Sequence, residues 1–486
     1  MTFVSFSFLV FFPIVVFAYY LCPARFRWAL LLAASCYFYV VFVPAYLLVL
    51  FALIAVDFTM ALLIERSEGS RRTHYLWVSI FATVAILFVF KYFNFFNGNL
   101  SALAHALNWN YSIGSLSLLL PLGLSFHTFQ SLSYVIEVYR RRYKAERHFG
   151  IYALYVMFFP QLVAGPIERP GHLLPQLKQT VAFRSSNVLS GLRLMAWGFF
   201  KKLVIADRLA LSVDYVWQHY LGVPGPSILA AIIFFAFQLY ADFSGYSDIA
   251  RGSARVLGID VVRNFEQPYF SRSIAEFWRR WHISLSSWFR DYFFTPLALK
   301  WRNVYTATLF TFVVLGLWHG ANWTYIIMGT LFGLYIIIGM LTKRWRERLV
   351  TRFRFTSMPL LYHALQVLST FSIVALTNIF FRAPDVETAF LFIARLFAGW
   401  SFSWAGIAYN VQHPLALFGL NKSDLLISLG TIGLLLCVER LEERGVLAKL
   451  LRRNSPFFHA CIYTILLLCV IIYSVSTTKQ FIYFQF

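Results

Sequence analysis

His319 lies in the run Leu317-Trp-His-Gly-Ala-Asn-Trp323, between an apolar stretch that begins at Val304 and another that reaches basic Lys343. Lys300 and Arg302 precede the first stretch, so both flanks are positive and two membrane crossings must fit between them. Val304 to Leu317 is about 14 residues, roughly 21 Å of helix against the ~30 Å of a hydrocarbon core, which places His319 within the bilayer rather than on its far face. An ionisable side chain at that depth is a functional candidate. Desolvation favours neutral imidazole, and a neutral histidine beside a hydroxyl can take its proton as the oxygen attacks an acyl carbonyl. Gly320 would allow close backbone approach. Spacing alone fits equally well a histidine hydrogen-bonded between packed helices.

A second histidine, His282, stands in Glu276 to Tyr292, where Trp278, Trp281, Leu285 and Trp288 recur at i, i+3, i+7 and i+10. That spacing predicts an amphipathic helix whose other side carries Glu276, Arg279, Arg280 and Arg290. Two readings fit it: a surface helix anchored by tryptophans with arginines toward headgroups, or a cytoplasmic mouth that receives an anionic donor. Asp57 and Lys91 also fall inside apolar runs and read as paired or snorkelling residues.

The elements that must position these residues are membrane helices. Apolar runs long enough or nearly long enough to cross lie at 3–21, 28–43, 45–64, 75–96, 115–138, 227–247, 305–318, 322–341, 359–381, 425–438 and 456–475. Two further stretches, 150–164 and 188–206, read as re-entrant or interfacial. The expectation is an all-α polytopic protein of about 11–13 transmembrane helices forming one membrane domain over 1–486. The first run is expected to be a retained span, because no basic residue precedes it and Cys22-Pro23-Ala24-Arg25 offers no small-residue cleavage site. Basic clusters at Arg25/Arg27, Arg66 to Arg72, Arg140 to Arg147, Lys343 to Arg354 and Arg440 to Arg453 put those loops inside and both termini outside, the tail 476–486 included. Between Arg140 and Arg302 the alternation breaks down, which predicts broken or half-inserted helices around a cavity.

Composition agrees: 59% of residues are hydrophobic and 13% charged, too apolar for one aqueous core. The net charge of +21 is concentrated in the loops between apolar runs, which argues for membrane lipids rather than nucleic acid as its partner. The five cysteines have no metal-ligand spacing, and no metal is expected. No internal repeat or long polar pore supports an exporter.

Several stretches together resemble the membrane-bound O-acyltransferase (MBOAT) family, in its bacterial alginate O-acetylation branch. They are Pro121-Leu-Gly-Leu-Ser-Phe-His-Thr-Phe-Gln130 with Tyr134 to Tyr139, Phe159-Pro-Gln-Leu-Val-Ala-Gly-Pro-Ile-Glu-Arg169, Tyr240-Ala-Asp-Phe-Ser-Gly-Tyr-Ser-Asp248, Glu276 to Tyr292, Leu317 to Trp323, Ile379-Phe-Phe-Arg-Ala383 and Phe481-Ile-Tyr-Phe-Gln-Phe486. The core of the match is about 118–383; the first hundred residues match only in hydropathy. His127 departs from the pattern, where an aromatic residue is expected, and leaves open a third histidine near the pocket.

The resemblance implies a fold with a central funnel, His319 as the essential histidine and His282 as the second. It implies acetyl-CoA or another cytosolic thioester as donor substrate, no bound cofactor, and an extracytoplasmic SGNH-type acyltransferase/esterase as partner at a bacterial inner membrane. Arg279, Arg280, Trp281, Arg290, Asp291, Gln161, Trp318 and Asn322 are then candidates for the donor-binding site and funnel. The closing aromatics fit an interfacial belt; by resemblance, Tyr483 is instead a candidate acyl relay, with alginate, peptidoglycan or a cellulose-like polymer as end acceptor. The rival readings are a teichoic-acid D-alanyl transferase fed by a carrier-protein thioester, and a non-catalytic export or scaffold subunit.

Overall fold

The computed structural model describes every residue except 42–43, 119–120, 122, 163–164, 401–413, 454, 476–479 and 485–486. Among the described residues there are helices, turns and coil but no strands. Among the described residues, five helices are long and apolar enough to cross a membrane: Ala45–Arg66, Gly69–Ala106, Gly225–Val256, Trp323–Leu341 and Pro359–Arg382. Phe6–Leu21, Val304–His319 and Phe457–Tyr473 are shorter apolar helices. The polytopic all-α architecture is therefore as expected. The chain divides into two compact units, Met1–Met195 with Ser247–Arg263, and Ala196–Tyr246 with Asn264–Phe486.

In the first unit, the run expected to cross at 115–138 becomes helical only at Leu124–Tyr139. Pro121 and Gly123 stop it from starting earlier: Gly123 adopts φ +75°, and a Cβ there would sit 2.5 Å from the Leu162 carbonyl oxygen. At its other end Arg72 donates to the carbonyls of Val138 (2.8 Å) and Tyr139 (2.6 Å), capping the last turn. Asp57 is fully buried on Ala45–Arg66, and its partners are hydroxyls: Ser79 donates at 2.5 Å, Thr83 at 3.4 Å, and Ser131 donates to the second oxygen while also meeting the Tyr152 hydroxyl at 2.8 Å. Residues 150–164 form the short buried helices Phe149–Met157 and Phe159–Leu162. The Gly-Pro-Ile-Glu-Arg stretch buries Glu168, which accepts the backbone N–H of Val262 (2.7 Å) and pairs with His172 Nδ1 (2.7 Å).

The second unit contains a helical hairpin. Asn303 caps Val304–His319 by accepting from the backbone N–H groups of Tyr305 and Thr306, and Asn322 caps Trp323–Leu341 through Thr324. The two helices meet at glycines: a Cβ on Gly316 would lie 2.3 Å from the Tyr325 carbonyl oxygen, and one on Gly329 2.2 Å from that of Phe312. Ser185–Phe199 runs into Asp207–Gln218 through a π-helical segment, Phe200–Ala206. Such a segment is a local widening often associated with functional sites.

Candidate active site

The predicted helix over Glu276 to Tyr292 is broken in the middle, and the break makes the site. Ile274–Arg280 ends at Trp281, His282 takes the left-handed conformation with φ 43°, and Ile283–Phe289 begins beyond it. Asn264 holds the break open: its carbonyl accepts from Ile283 N–H (2.9 Å), and its side chain accepts from the Ser284 hydroxyl (2.6 Å). Trp278, Trp281, Leu285 and Trp288 are all buried, so the surface-helix reading of these residues is corrected. His282, at the break, has no exposed surface.

His319 is the last residue of its helix, 6% exposed, and Asn322 starts the next, so the Trp-His-Gly-Ala-Asn-Trp run is the tip of the hairpin. The Trp318 ring lies 4.9 Å from His319 and 6.2 Å from His282. Tyr483 comes in from the short turn Ile482–Phe484, its ring centre 5.9 Å from His319, 6.5 Å from His282, 5.8 Å from Phe381 and 4.5 Å from Phe243. Two histidines and a phenol thus share one aromatic chamber. The small cleft beside them, walled by Leu239, Trp281, Met328 and Phe381, is about 20 Å³, room for one water molecule.

Electrostatics favour uncharged groups here. Burial, and then proximity to His319, holds the His282 imidazole well below its ordinary range, so it is neutral near pH 7. Burial raises the Tyr483 phenol above its ordinary value, with Tyr325 and Asp242 adding to the shift, so the hydroxyl keeps its proton until a base removes it.

The other expected residues divide. Trp318 and Trp281 line the chamber, whereas Asn322 is a helix cap whose amide also donates to the Pro384 carbonyl at 2.7 Å. Arg280 is paired with Glu276 (2.9 Å) and Glu443 (3.5 Å), Arg290 with Asp291 (2.8 Å), and Arg279 is exposed. Gln161 belongs to the first unit, where it donates to the Tyr155 carbonyl (2.8 Å). His127 belongs there too, with its ring 6.3 Å from Tyr39. Phe481 is wholly buried, which removes it from an interfacial belt; Phe486 lies outside the described residues. No group of His, Cys, Asp and Glu among the described residues could hold a metal ion.

Sequence reasoning missed Phe243, Phe381 and the buried trio Lys202, Asp207 and Asp242. Lys202 Nζ lies 2.9 Å from Asp207 and 2.8 Å from Asp242. Asp242 carried a signal, a carboxylate within an apolar run. It also missed an open groove of about 490 Å³ walled by Arg272, Tyr362, His363 and Arg440.

The family described as MBOAT, membrane-bound O-acyltransferase, matches residues 148–381, a stretch that takes in His282 and His319 and stops before the tail. The probable alginate O-acetylase AlgI of Azotobacter vinelandii is 36% identical over 80% of this chain and 76% of its own length. The peptidoglycan O-acetyltransferase of Helicobacter pylori is 34% identical over 74% of this chain and 71% of its own. The teichoic acid D-alanyltransferase of Streptococcus thermophilus is 31% identical over 46% and 58%. With a buried histidine pair on broken helices and similarity running through most of its length, the chain belongs to the membrane-bound O-acyltransferase family and is an acyltransferase.

Proposed function

We propose that the protein passes an acetyl group from cytosolic acetyl-CoA, through Tyr483, to an extracytoplasmic SGNH-type partner that O-acetylates a polysaccharide. The polymer class is alginate, peptidoglycan or a cellulose-like glycan. The observation that carries this is the Tyr483 ring 5.9 Å from His319 among the aromatic rings that surround the histidine pair. His319 takes the phenolic proton as Tyr483 Oη attacks the thioester carbonyl. The C–S bond breaks, the proton passes from His319 to the leaving thiolate, and acetyl remains as a phenyl ester. A hydroxyl of the partner then attacks that ester, and the phenol regains a proton. His282, neutral and buried, shapes the chamber without adding charge. The alternation of basic loops supports a bacterial inner-membrane location with both described ends extracytoplasmic.

The similarity to acetylases covers more of both chains than the similarity to the D-alanyltransferase, which favours acetyl-CoA as donor. Purified wild type, His319→Ala, His282→Ala and Tyr483→Phe, with radiolabelled acetyl-CoA and with or without the partner, test the reading. CoA release by wild type, its loss in His319→Ala and loss of protein-bound label in Tyr483→Phe are expected. Activity only with an acyl-carrier thioester would move the assignment to D-alanyl transfer.

A further inference from the structure

The turn that carries Tyr483 is held by more than ring packing. The backbone N–H of Ile482 donates to Asp242 Oδ2 at 2.8 Å, across 240 residues of chain. Asp242 is 2% exposed, and its other oxygen lies 2.8 Å from Lys202 Nζ, which also reaches Asp207 at 2.9 Å. Two carboxylates sharing one ammonium leave acceptor capacity, and a hydrogen bond to an ionised acceptor is roughly twice as strong as a neutral one. The same helix grips the neighbouring tail residues. Phe481 stacks on Tyr246 at 4.3 Å, and Tyr483 packs on Phe243 at 4.5 Å. Lys202 Nζ lies 5.8 Å from the Tyr246 ring centre, so the ion cluster and the ring stack are one assembly. Three successive tail residues therefore meet Asp242, Phe243 and Tyr246.

We propose that Asp242, oriented by Lys202 and Asp207, is the positioning residue that docks the tail through the Ile482 N–H and so sets Tyr483 against His319. The consequence for catalysis rests on Tyr483 being the acyl acceptor; the docking itself does not. Because the donor is backbone, the anchor fixes the register of the tail rather than the identity of residue 482.

The test uses the full chain in detergent, with the five native cysteines replaced and a Phe481→Cys reporter whose maleimide labelling reports undocking. Asp242→Leu removes the acceptor and leaves Lys202 and Asp207 as a balanced pair. Ile482→Pro removes the donor, and proline is tolerated at the first position of a helical turn. Because the Ile482 side chain is itself buried, Ile482→Ala, which loses the side chain but keeps the N–H, is the matched control and should label more slowly than Ile482→Pro. Either change is expected to speed labelling about 10- to 100-fold, the range of one hydrogen bond to a charged group. Acetyl transfer, measured in the same variants with Phe481 restored, should fall by a similar factor. Asp242→Asn, which keeps an acceptor oxygen, should recover much of both. A Thr324→Cys reporter, buried in the same unit, should keep its rate, separating undocking from general loosening. Monodisperse Asp242→Leu and Ile482→Pro proteins in which the Phe481→Cys reporter labels at the parental rate would overturn the proposal. If both variants free the tail while Tyr483→Phe still transfers acetyl, the anchor stands and the relay reading falls.

Discussion

Two buried carboxylates, one in each unit, solve the same problem differently. Asp57 sits among hydroxyls from Ser79, Thr83 and Ser131, all on packed helices. Asp242 has an ammonium, a neighbouring carboxylate and a backbone N–H from a short terminal turn. A buried charge must find donors or opposite charge. Where every donor belongs to the packed helices, the carboxylate fastens helices together. Where one donor comes from a light, separate segment, the carboxylate governs the placement of that segment.

The largest expected effect is at the chemistry: His319→Ala should cut acyl transfer about 10²–10⁴-fold, the worth of a general base, with little change in the thermal unfolding midpoint. A variant that keeps the parental rate in the radiolabel assay breaks the division between a reacting and a scaffolding region. Next is the hairpin that holds His319. Gly329→Val places a Cβ 2.2 Å from the Phe312 carbonyl oxygen and should lower stability by about 1–3 kcal/mol, read from denaturation in detergent. Asp57→Leu strips Ser79 and Ser131 of their acceptor, at about 1–3 kcal/mol for an orphaned buried donor. It should leave labelling at a Phe481→Cys reporter unchanged; accelerated labelling would erase the contrast between the carboxylates.

Two histidines sharpen the comparison through opposite responses to pH. The folded His282 is held below its ordinary value by burial, so the unfolded chain takes up the proton first. Stability should therefore fall as pH drops below about 6.5, and the slope should flatten in His282→Gln. His172 is raised by its hydrogen bond to Glu168, so its contribution is present below about 6.5 and lost as pH rises through the elevated value. With 38% of its side chain exposed, it should give the smallest signal, a slight difference between wild type and His172→Gln across pH 6–8.

The place of His319 at the turn between two apolar helices was legible, because apolar runs flank it on both sides between charged loops. The helix break at His282 was not: tryptophan spacing continues unchanged through it, and its cause is Asn264, a tertiary partner 20 residues before Ser284. The start of Leu124–Tyr139 was hidden for a similar reason, since hydropathy runs on through Pro121 while backbone geometry does not. Asp242 went unread although it is a charge in an apolar run, and its partners carried no signal at all, because Lys202 comes from a π-helical segment and Ile482 offers only backbone.

The interleaving of the two units also orders events during synthesis. Glu168 must wait for the N–H of Val262, 94 residues later, which at ribosomal speed is a delay of roughly 5–20 s. During that interval the early helices are already made while a buried carboxylate of their unit still lacks one of its donors. Asp242 waits for Ile482 across 240 residues, more than twice as far, so a nascent chain acquires its scaffold first and the means of completing its reaction chamber last.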